Sequence, residues 1–454
     1  MIQSINPANE IVLESFDELS DKAVSEVINK SLVAKPVWVN LSCDERIRII
    51  LGLKKVFLEN KDQLINTINT ECGFDKAEIE GVFLDVIDGF DYYTDEYKKK
   101  KDLDYPINNE VFPESTARIE YHSLGLIAQI GAWNYPLWQT MITAIPALLT
   151  GNVIIYKPSE KATMTGRLIH ELINKALPEN VFSMIIGGPE QAKQLVKSDK
   201  IDAVCYTGNI KTGEWIRQHA GMKKLILELS GNDPAIICAD CDMKQTVNGV
   251  VSGAFLHSGE VCDRIKRAYV VDDIAEEFIN KLVKQAKEIT VTPLIRQENR
   301  ELVHEQVNQS IKDGAQLLTG GDLPKGVGYY YPATILKLKT NKEQSAKNEV
   351  FGPVLSIMTV KDEDEAISKA NDSIYGLGAS IWTQDYAKGL RLSRELEAGI
   401  VWVNDSNIPL VCGEHFAGWK NTAIPTSEDR LSMFTKKQTI ISYNSNKERE
   451  WWYK

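Results

Sequence analysis

The sequence has no apolar run long enough to cross a membrane, and it has few cysteines. Its most apolar region, residues 124–156, is interrupted by Asn134, Pro136, Pro146 and Gly151, whereas a bilayer span needs about 20 consecutive apolar residues. The seven cysteines among 454 residues are an odd number and too sparse for a disulfide framework. The first residues turn polar at once, unlike a signal peptide. We therefore expect a cytoplasmic protein with reduced thiols.

Positive charge is also scarce. Lys and Arg number 52 against 63 Asp and Glu, which gives a net charge of −11 at pH 7. This balance argues against a nucleic-acid partner or an anionic membrane surface. The composition, 43% apolar and 25% charged, is that of a soluble globular chain and excludes collagen, coiled coil and general disorder. At about 150 residues per domain, the length predicts three domains, or two large ones with a small appendage.

Several motifs that would assign a function directly are missing. The sequence contains no G-x-G-x-x-G, no G-x-x-x-x-G-K-S/T and no H-E-x-x-H, so the usual dinucleotide, P-loop and zinc-protease signatures are absent. Cys238 and Cys241 form a C-x-x-C without a second pair or a suitably spaced histidine, which argues against a metal or redox site. His257 is close to Cys262 in sequence, but we expect local geometry to direct its ring elsewhere. We expect no metal.

What the sequence does contain is a regular alternation of short apolar strands with amphipathic helices. It begins near residue 124 and resumes after about residue 266, which predicts an α/β fold with two doubly wound parallel-sheet domains and a cleft between them. Two further stretches alternate polar and apolar residues, as a small antiparallel sheet would. The predicted boundaries are 1–101 with 123–230 for the first domain, 231–434 for the second, and 102–122 with 435–454 for the antiparallel segment.

Two of the predicted strands end in groups that could bind a nucleotide. Lys157 and Glu160 follow one strand and could hold ribose hydroxyls, although Ser159 could equally cap a helix with Glu160 in its first turn. Gly208 and Gly213 stand between another strand and a helix, where backbone N–H groups can approach a diphosphate. An ordinary turn explains the glycines as well.

Three side chains are candidates for catalysis. Cys262 lies in a turn-prone segment and precedes three cationic residues (Arg264, Lys266 and Arg267), whose positive potential would favour a thiolate. Glu228 ends an apolar strand, where a carboxylate is unfavourable unless it is paired or transfers protons. The amide of Asn134 could stabilise an oxyanion or satisfy backbone carbonyls.

Taken in order, these segments resemble the motif series of the NAD(P)-dependent aldehyde dehydrogenase superfamily, and the resemblance extends over nearly the whole chain. The matching segments are 130–137 (IGAWNYPL), 151–160 (GNVIIYKPSE), 227–231 (LELSG), 259–262 (GEVC), 348–354 (NEVFGPV), 370–377 (ANDSIYGL) and 398–404 (AGIVWVN).

The resemblance implies a two-step reaction. Cys262 is the nucleophile that attacks the aldehyde to form a thiohemiacetal, while the amide of Asn134 and the backbone N–H of Cys262 stabilise the oxyanion. Hydride transfer leaves a thioester, and Glu228 activates the water that hydrolyses it.

The resemblance also implies NAD as cofactor, bound by the domain formed from residues 1–101 and 123–230, with residues 231–434 as the catalytic domain. Glu160 favours NAD over NADP, because its carboxylate would repel a 2′-phosphate. Glu349 would bind the nicotinamide ribose, and residues 208–213 would cover the diphosphate. The complete cofactor-binding set is Trp133, Lys157, Ser159, Glu160, Gly208, Asn209, Gly213, Glu349 and Phe351.

The sequence departs from the family pattern at several positions. The substituted positions are Ala132 for Pro, Asn209 for Ser, Ser230 for Gly, Asn232 for Lys, and residues 415–420 (HFAGWK) for a Pro-Phe-Gly-Gly pattern. Glu260 replaces the usual Gln two residues before the nucleophile. If its carboxylate points toward Cys262, it should raise the pKa of the thiol.

Residues 131–136 (GAWNYP) and the region of Tyr92 and Tyr93 are most similar to the betaine-aldehyde and aminoaldehyde branch, whose enzymes hold a cationic group with aromatic faces and carboxylates. Candidate lining residues are Asp85, Tyr135, Trp138 and Phe416, and residues 451–454 (WWYK) strengthen the likeness. Ile142 and Thr143 stand where that branch often has Trp-Lys.

Other readings stay open. They are oxidation of another small aliphatic aldehyde or semialdehyde, a catalytically weakened homologue kept for binding, and acyl transfer to coenzyme A. We expect a homodimer or homotetramer, with residues 102–122 and 435–454 as the oligomerisation segment.

Overall fold

The computed structural model describes residues 1–100, 103–105, 110–112, 114–408, 413, 418–424 and 429–449. Its α-helices are α1 (Asp21–Val39), α2 (Cys43–Glu59), α3 (Lys61–Cys72), α4 (Lys76–Lys99), α5 (Pro136–Leu149), α6 (Thr163–Asn174), α7 (Pro189–Lys197), α8 (Ile210–His219), α9 (Met243–Phe255), α10 (Asp272–Ala286), α11 (Gln297–Lys312), α12 (Gln344–Lys347), α13 (Glu363–Asn371), α14 (Tyr386–Ser393) and α15 (Arg430–Met433). Short 3₁₀ helices span Glu160–Ala162, Leu256–Gly259 and Lys420–Thr422.

The strands form four sheets. They are β1 (Ile2–Ile5), β2 (Val12–Phe16), β3 (Leu103–Tyr105), β4 (Ser115–Ser123), β5 (Leu126–Ile130), β6 (Val153–Lys157), β7 (Phe182–Met184), β8 (Ala203–Thr207), β9 (Lys224–Glu228), β10 (Asp233–Ile237), β11 (Ile265–Val271), β12 (Gln316–Thr319), β13 (Thr334–Lys337), β14 (Val354–Val360), β15 (Gly378–Trp382), β16 (Ile400–Val403) and β17 (Thr435–Tyr443). The first two strands pair as an antiparallel hairpin.

The first large sheet has the strand order β7-β6-β5-β8-β9 and is parallel throughout. Every residue of β5 and β6 is buried, because helices cover both faces of a parallel sheet and leave no position for an alternating polar residue. The parallel α/β arrangement predicted for this region is confirmed.

The second large sheet has the order β12-β13-β14-β11-β10-β15-β16. Its strands are parallel except for β12, which pairs antiparallel with β13 at one edge. The prediction of a second doubly wound domain is therefore confirmed, but the expectation of a wholly parallel sheet is wrong at that edge.

The third sheet is a small antiparallel ribbon of order β17-β4-β3. Its longest pairing joins β4 to β17, with Ser123 opposite Thr435 and Ser115 opposite Tyr443. The predicted antiparallel sheet is present, while its role in oligomerisation and the exact domain boundaries stay predictions. Among the described residues no helix is both long and apolar enough to span a bilayer.

The topology determines where functional groups can meet. In the first sheet the carboxyl ends of β5, β6, β8 and β9 lie along one edge, which is where open α/β sheets bind ligands. Two connections of the second domain face this edge, one between α9 and β11 and one between α12 and β14.

Candidate active site

A cavity of about 810 Å³ lies at the carboxyl edge of the first sheet, against these two connections. It is lined by eleven of the twelve site residues predicted from the sequence, which are Trp133, Asn134, Lys157, Ser159, Glu160, Gly208, Asn209, Glu228, Cys262, Glu349 and Phe351. The structure therefore brings these predicted residues together at one cavity.

A tight turn positions the candidate nucleophile. Three consecutive residues before it have positive φ: His257 at 46°, Ser258 at 46° and Gly259 at 74°. A Cβ atom at Gly259 would lie 2.2 Å from the carbonyl oxygen of Gly352, so only glycine fits. The hydroxyl of Ser258 donates to the carbonyl of Thr292 at 2.7 Å and fixes the turn.

His257 points away from the thiol, as expected. Its ring stacks on Phe74 with 3.4 Å between centroids, and burial lowers the pKa of His257 to about 3. The imidazole is thus a neutral packing element at physiological pH.

The thiol of Cys262 donates to Oδ1 of Asp263 at 3.4 Å. Burial raises the pKa of Cys262 well above its usual range, the Asp263 carboxylate raises this pKa further, and Lys266 opposes both effects. The expectation that nearby cations favour the thiolate is therefore wrong, because burial and Asp263 outweigh them. Arg264 and Arg267 are engaged instead with backbone carbonyls.

Glu260 does not face the thiol. Its carboxylate is fully buried and accepts from the backbone N–H of Ile295 at 3.2 Å. Burial raises the pKa of Glu260, while Lys161 and Arg296 oppose this shift. After burial, the largest contribution that raises the pKa of Cys262 comes from Asp263, the residue immediately after the nucleophile.

Asn134 is fixed by two hydrogen bonds. Its Oδ1 accepts from Nε2 of Gln139 at 2.9 Å, and its Nδ2 donates to the backbone carbonyl of Glu260 at 3.1 Å. The amide N–H₂ group therefore faces the turn that carries Cys262, as an oxyanion donor requires.

Glu228 ends β9 and lines the cavity. Its Oε1 lies 3.2 Å from Nη2 of Arg430, and both side chains are mostly buried, with exposed fractions of 15% and 3%. The sequence analysis left open whether this carboxylate is paired, and the structure shows that it is. Arg430 was not anticipated.

Lys157 and Glu160 occupy the far end of the cavity. The ammonium group of Lys157 donates to the carbonyl of Pro158 at 2.9 Å and lies 3.8 Å from Glu160. Ser159 accepts from the backbone N–H of Lys161 at 3.2 Å, so it caps the 3₁₀ turn as well as lining the cavity.

A second Lys–Glu pair lies beside the nucleophile. Nζ of Lys266 is 3.2 Å from Oε1 of Glu349 and also donates to the carbonyls of Val261 and Cys262. Lys266 also lowers the pKa of the buried Asp233, although burial raises that pKa more strongly.

Aromatic and glycine residues shape the middle of the cavity. Trp133 and Phe351 meet edge to face with 5.5 Å between ring centroids. Asn209 caps α8 by accepting from Thr212 at 2.8 Å. Gly213 lies inside α8, where a Cβ atom would come 2.7 Å from Leu229; it does not line the cavity, and its contact is with the sheet.

The candidate substrate-lining residues do not all lie at the cavity. Trp138 lines the cavity. Tyr135 lies next to it and donates its hydroxyl to Glu78 at 2.8 Å, and burial raises the pKa of Glu78 to about 7. Asp85 is exposed on α4, away from the lining residues. Phe416 and residues 451–454 are outside the described part of the chain.

One acidic group in the second domain has the composition of a metal site. Cys238, Asp240 and Glu363 lie close together, but Nζ of Lys388 bonds Asp240 at 2.6 Å and Glu363 at 3.1 Å. The positive charge that these carboxylates face is an ammonium group.

Residues 1–440 match the aldehyde dehydrogenase family. The chain belongs to this family. It is 32% identical to betaine aldehyde dehydrogenase of Bacillus subtilis over 438 residues, which cover 92% of this chain and 89% of that protein.

Solved structures of aldehyde dehydrogenases share the whole fold. Betaine aldehyde dehydrogenase from Staphylococcus aureus in complex with NAD⁺ superposes with a TM-score of 0.94 at 26% identity, covering 100% of this chain and 93% of that chain. Glyceraldehyde-3-phosphate dehydrogenase from Methanocaldococcus jannaschii complexed with NADP has a TM-score of 0.92 at 28% identity, with 98% and 99% covered. A lactaldehyde dehydrogenase has a TM-score of 0.93 at 27% identity, with 97% and 95% covered.

Three charged residues of this aldehyde dehydrogenase were not assigned a place in the site from sequence. For Asp263 the sequence signal is a carboxylate directly after the nucleophile. For Lys266 it is a cation inside an apolar strand. Arg430 carries no such signal, because only the fold brings it to Glu228, 202 positions away in the chain.

Proposed function

We propose that this enzyme oxidises an aldehyde bearing a cationic group, such as betaine aldehyde or an aminoaldehyde, to the carboxylic acid with NAD. The observation that carries the proposal is one cavity lined by Cys262, Asn134 and Glu228 together with Lys157 and Glu160.

The cavity fits a dinucleotide by size and by the chemistry of its ends. Its volume of about 810 Å³ is within the usual range for ligand sites. Glu160, with 44% of its side chain exposed, offers a carboxylate to ribose hydroxyls and would repel a 2′-phosphate, which favours NAD over NADP. Glu349 is placed to hold the second ribose, and NAD when bound supplies a hydride acceptor.

The first half-reaction is acylation of the enzyme. The sulfur of Cys262 attacks the aldehyde carbon, and the amide of Asn134 with the backbone N–H of Cys262 binds the resulting oxyanion. Departure of hydride from the thiohemiacetal leaves a thioester on Cys262. Because burial and Asp263 raise the pKa of the thiol, the attacking thiolate is a minor species at neutral pH.

The second half-reaction is hydrolysis. Glu228 takes a proton from a water molecule, which attacks the thioester carbon and releases the acid and the thiol. Retention of this carboxylate in the cavity favours water over coenzyme A as acyl acceptor.

The charges around the nucleophile support a cationic substrate. Asp263 accepts from the thiol of Cys262 at 3.4 Å, and Glu228 and Glu349 line the same cavity. A negative potential of this kind attracts a cation and repels an anion. Trp138 adds an aromatic face to the lining.

The substrate assignment can be tested with a matched pair of aldehydes. Betaine aldehyde and 3,3-dimethylbutanal differ only by a quaternary nitrogen in place of a quaternary carbon. NADH formation at 340 nm, referred to the free aldehyde concentration, should give a kcat/KM about 5–30-fold higher for the cation, since such contacts are worth about 1–2 kcal/mol. Asp263→Asn should lower the ratio of kcat/KM for the cationic aldehyde to kcat/KM for the neutral one. Cys262→Ala should abolish turnover of both.

An equal or higher kcat/KM for the neutral isostere would overturn the cationic assignment. Preferential oxidation of lactaldehyde, succinic semialdehyde or glyceraldehyde 3-phosphate would assign the enzyme to another aldehyde. Faster turnover with NADP than with NAD would overturn the cofactor assignment.

A further inference from the structure

The carboxylate at the end of β9 has a cationic partner from the far end of the chain. Nη2 of Arg430 lies 3.2 Å from Oε1 of Glu228, and the arginine side chain is only 3% exposed. A guanidinium this deeply buried is unfavourable without an anionic partner. Glu228 lines the cavity, and Arg430 is its buried partner from outside that lining.

The backbone on the carboxylate side is fixed. Glu228 forms an isolated bridge with Ala423, and its carbonyl accepts from the N–H of Gly208 at 3.0 Å. The next residue, Leu229, donates to the carbonyl of Thr422 at 2.8 Å. The end of β9 is thus held on both sides.

The backbone on the arginine side is fixed as well. Asp429 caps α15 by accepting from the backbone N–H of Ser432 at 2.9 Å, and it also faces Nζ of Lys100 at 3.4 Å. The carbonyl of Phe434, just after the helix, accepts from Asn152 at 2.9 Å. With both backbones fixed, the contact with the guanidinium favours the rotamer of Glu228 that brings Oε1 to Nη2.

We propose that Arg430 is a positioning residue for the hydrolytic half-reaction. This inference rests on the proposed function, in which Glu228 activates water. Arg430 holds Oε1, so that the carboxylate stays oriented in the cavity and Oε2 is the atom that accepts the proton of the attacking water. Small displacements of a catalytic group from its productive geometry can lower a rate by about 100-fold, whereas acylation by Cys262 does not depend on this carboxylate.

The two half-reactions can be separated without aldehyde or cofactor by using p-nitrophenyl acetate. Attack of the Cys262 thiolate on the ester breaks the bond to the aryl oxygen, releases p-nitrophenolate and leaves a thioester. Water then cleaves the thioester to acetate and the free thiol. The burst of nitrophenolate counts acylating sites, and the later linear phase, divided by the burst amplitude, reports hydrolysis per active site.

Arg430→Met should lower the linear phase about tenfold and leave the rate and amplitude of the burst within about twofold, since acylation does not use Glu228. Arg430→Lys keeps the charge and should stay within about threefold of the parent. Arg167→Met, which breaks the pair with Glu14 elsewhere in the first domain, should change neither phase. Dividing by the burst amplitude removes any unfolded fraction from the comparison.

An unchanged or faster linear phase in Arg430→Met would overturn the inference, and so would a parallel fall of burst and linear phase. Glu228→Gln in the same assay tests the proposed function separately. If Glu228→Gln hydrolyses at the parent rate, the base assignment fails. If the linear phase is slow in Glu228→Gln but unchanged in Arg430→Met, only the role of Arg430 fails.

Discussion

Two Lys–Glu pairs stand where a ribose is expected, with both glutamates and Lys157 lining the cavity. The pairs differ in the separation of their charges and in how exposed the glutamate is. Lys157 and Glu160 are 3.8 Å apart, and 44% of the glutamate side chain is exposed. Lys266 and Glu349 are 3.2 Å apart, and only 12% of that glutamate is exposed. Both lysines are buried, with 3% and 2% of their side chains exposed, so the outer pair (Lys157 and Glu160) and the inner pair (Lys266 and Glu349) differ in separation and in the exposure of the glutamate.

The difference indicates two kinds of ligand site. The half-exposed carboxylate of Glu160 is 3.8 Å from Lys157 and can bind ribose hydroxyls at little cost, since an ion pair of a solvated carboxylate contributes little. In the inner pair Lys266 also bonds the carbonyls of Val261 and Cys262. Glu349 is therefore connected to the nucleophile turn, so that cofactor binding and nucleophile position are coupled there.

Breaking the inner pair should have the largest effect. Lys266→Met leaves Glu349 and Asp233 without their cation, and removing one partner of a buried pair lowers the free energy of unfolding by about 3–5 kcal/mol. Lys157→Met is the matched control, because its partner is solvated, and we expect a loss below about 1 kcal/mol. Denaturant unfolding of both variants measures the difference, and equal losses would contradict the distinction.

Neutralising the inner carboxylate should mainly affect turnover. Glu349→Gln keeps the shape but weakens the hold on the nicotinamide ribose beside Cys262, and we expect kcat to fall about 10–100-fold. Steady-state kinetics under saturating NAD measures this. A change in the KM for NAD with kcat unchanged would make Glu349 a binding group like Glu160.

Neutralising the outer carboxylate should mainly affect binding. For Glu160→Gln we expect the KM for NAD to rise about tenfold at a constant kcat, because the lost contacts are far from the reacting atoms. The KM for NADP should fall, since repulsion of the 2′-phosphate is removed. If kcat falls instead, the two ends are not functionally distinct.

The smallest effect is expected at the thiol. Asp263→Asn removes a negative charge that raises the pKa of Cys262, so the pKa should fall and more thiolate should form at a given pH. Alkylation by iodoacetamide at pH 8 should therefore be several-fold faster, with Cys262→Ala as the blank. A slower reaction would mean that Asp263 does not act on the thiol through its charge.

Much of the fold could be predicted because strand and helix periods are local. The alternation of strands and helices predicted from near residue 124 appears in the structure as β5, α5, β6 and α6. Strand β10, which lies between β11 and β15, was not anticipated. Its five residues include Asp233 and Pro234, which local propensity disfavours in a strand.

The candidate site could be predicted where strand ends carry the chemistry, as at Lys157 and Glu228. The electrostatics of the nucleophile could not, because they depend on which charges the fold buries. Arg264 and Arg267 follow Cys262 by two and five residues but bind backbone carbonyls, while burial and then Asp263 raise the pKa of the thiol. The partner of Glu228 comes from a helix near the other end of the chain.

The most direct test of the account follows NADH at 340 nm in the first turnover with betaine aldehyde. For Glu228→Gln we expect a rapid burst of one NADH per active site and then a steady rate at least about 100-fold below that of the parent, while Cys262→Ala should show no burst. Steady turnover of Glu228→Gln at the parent rate, or NADH formation by Cys262→Ala, would contradict the central claim that these two residues divide acylation and hydrolysis between them.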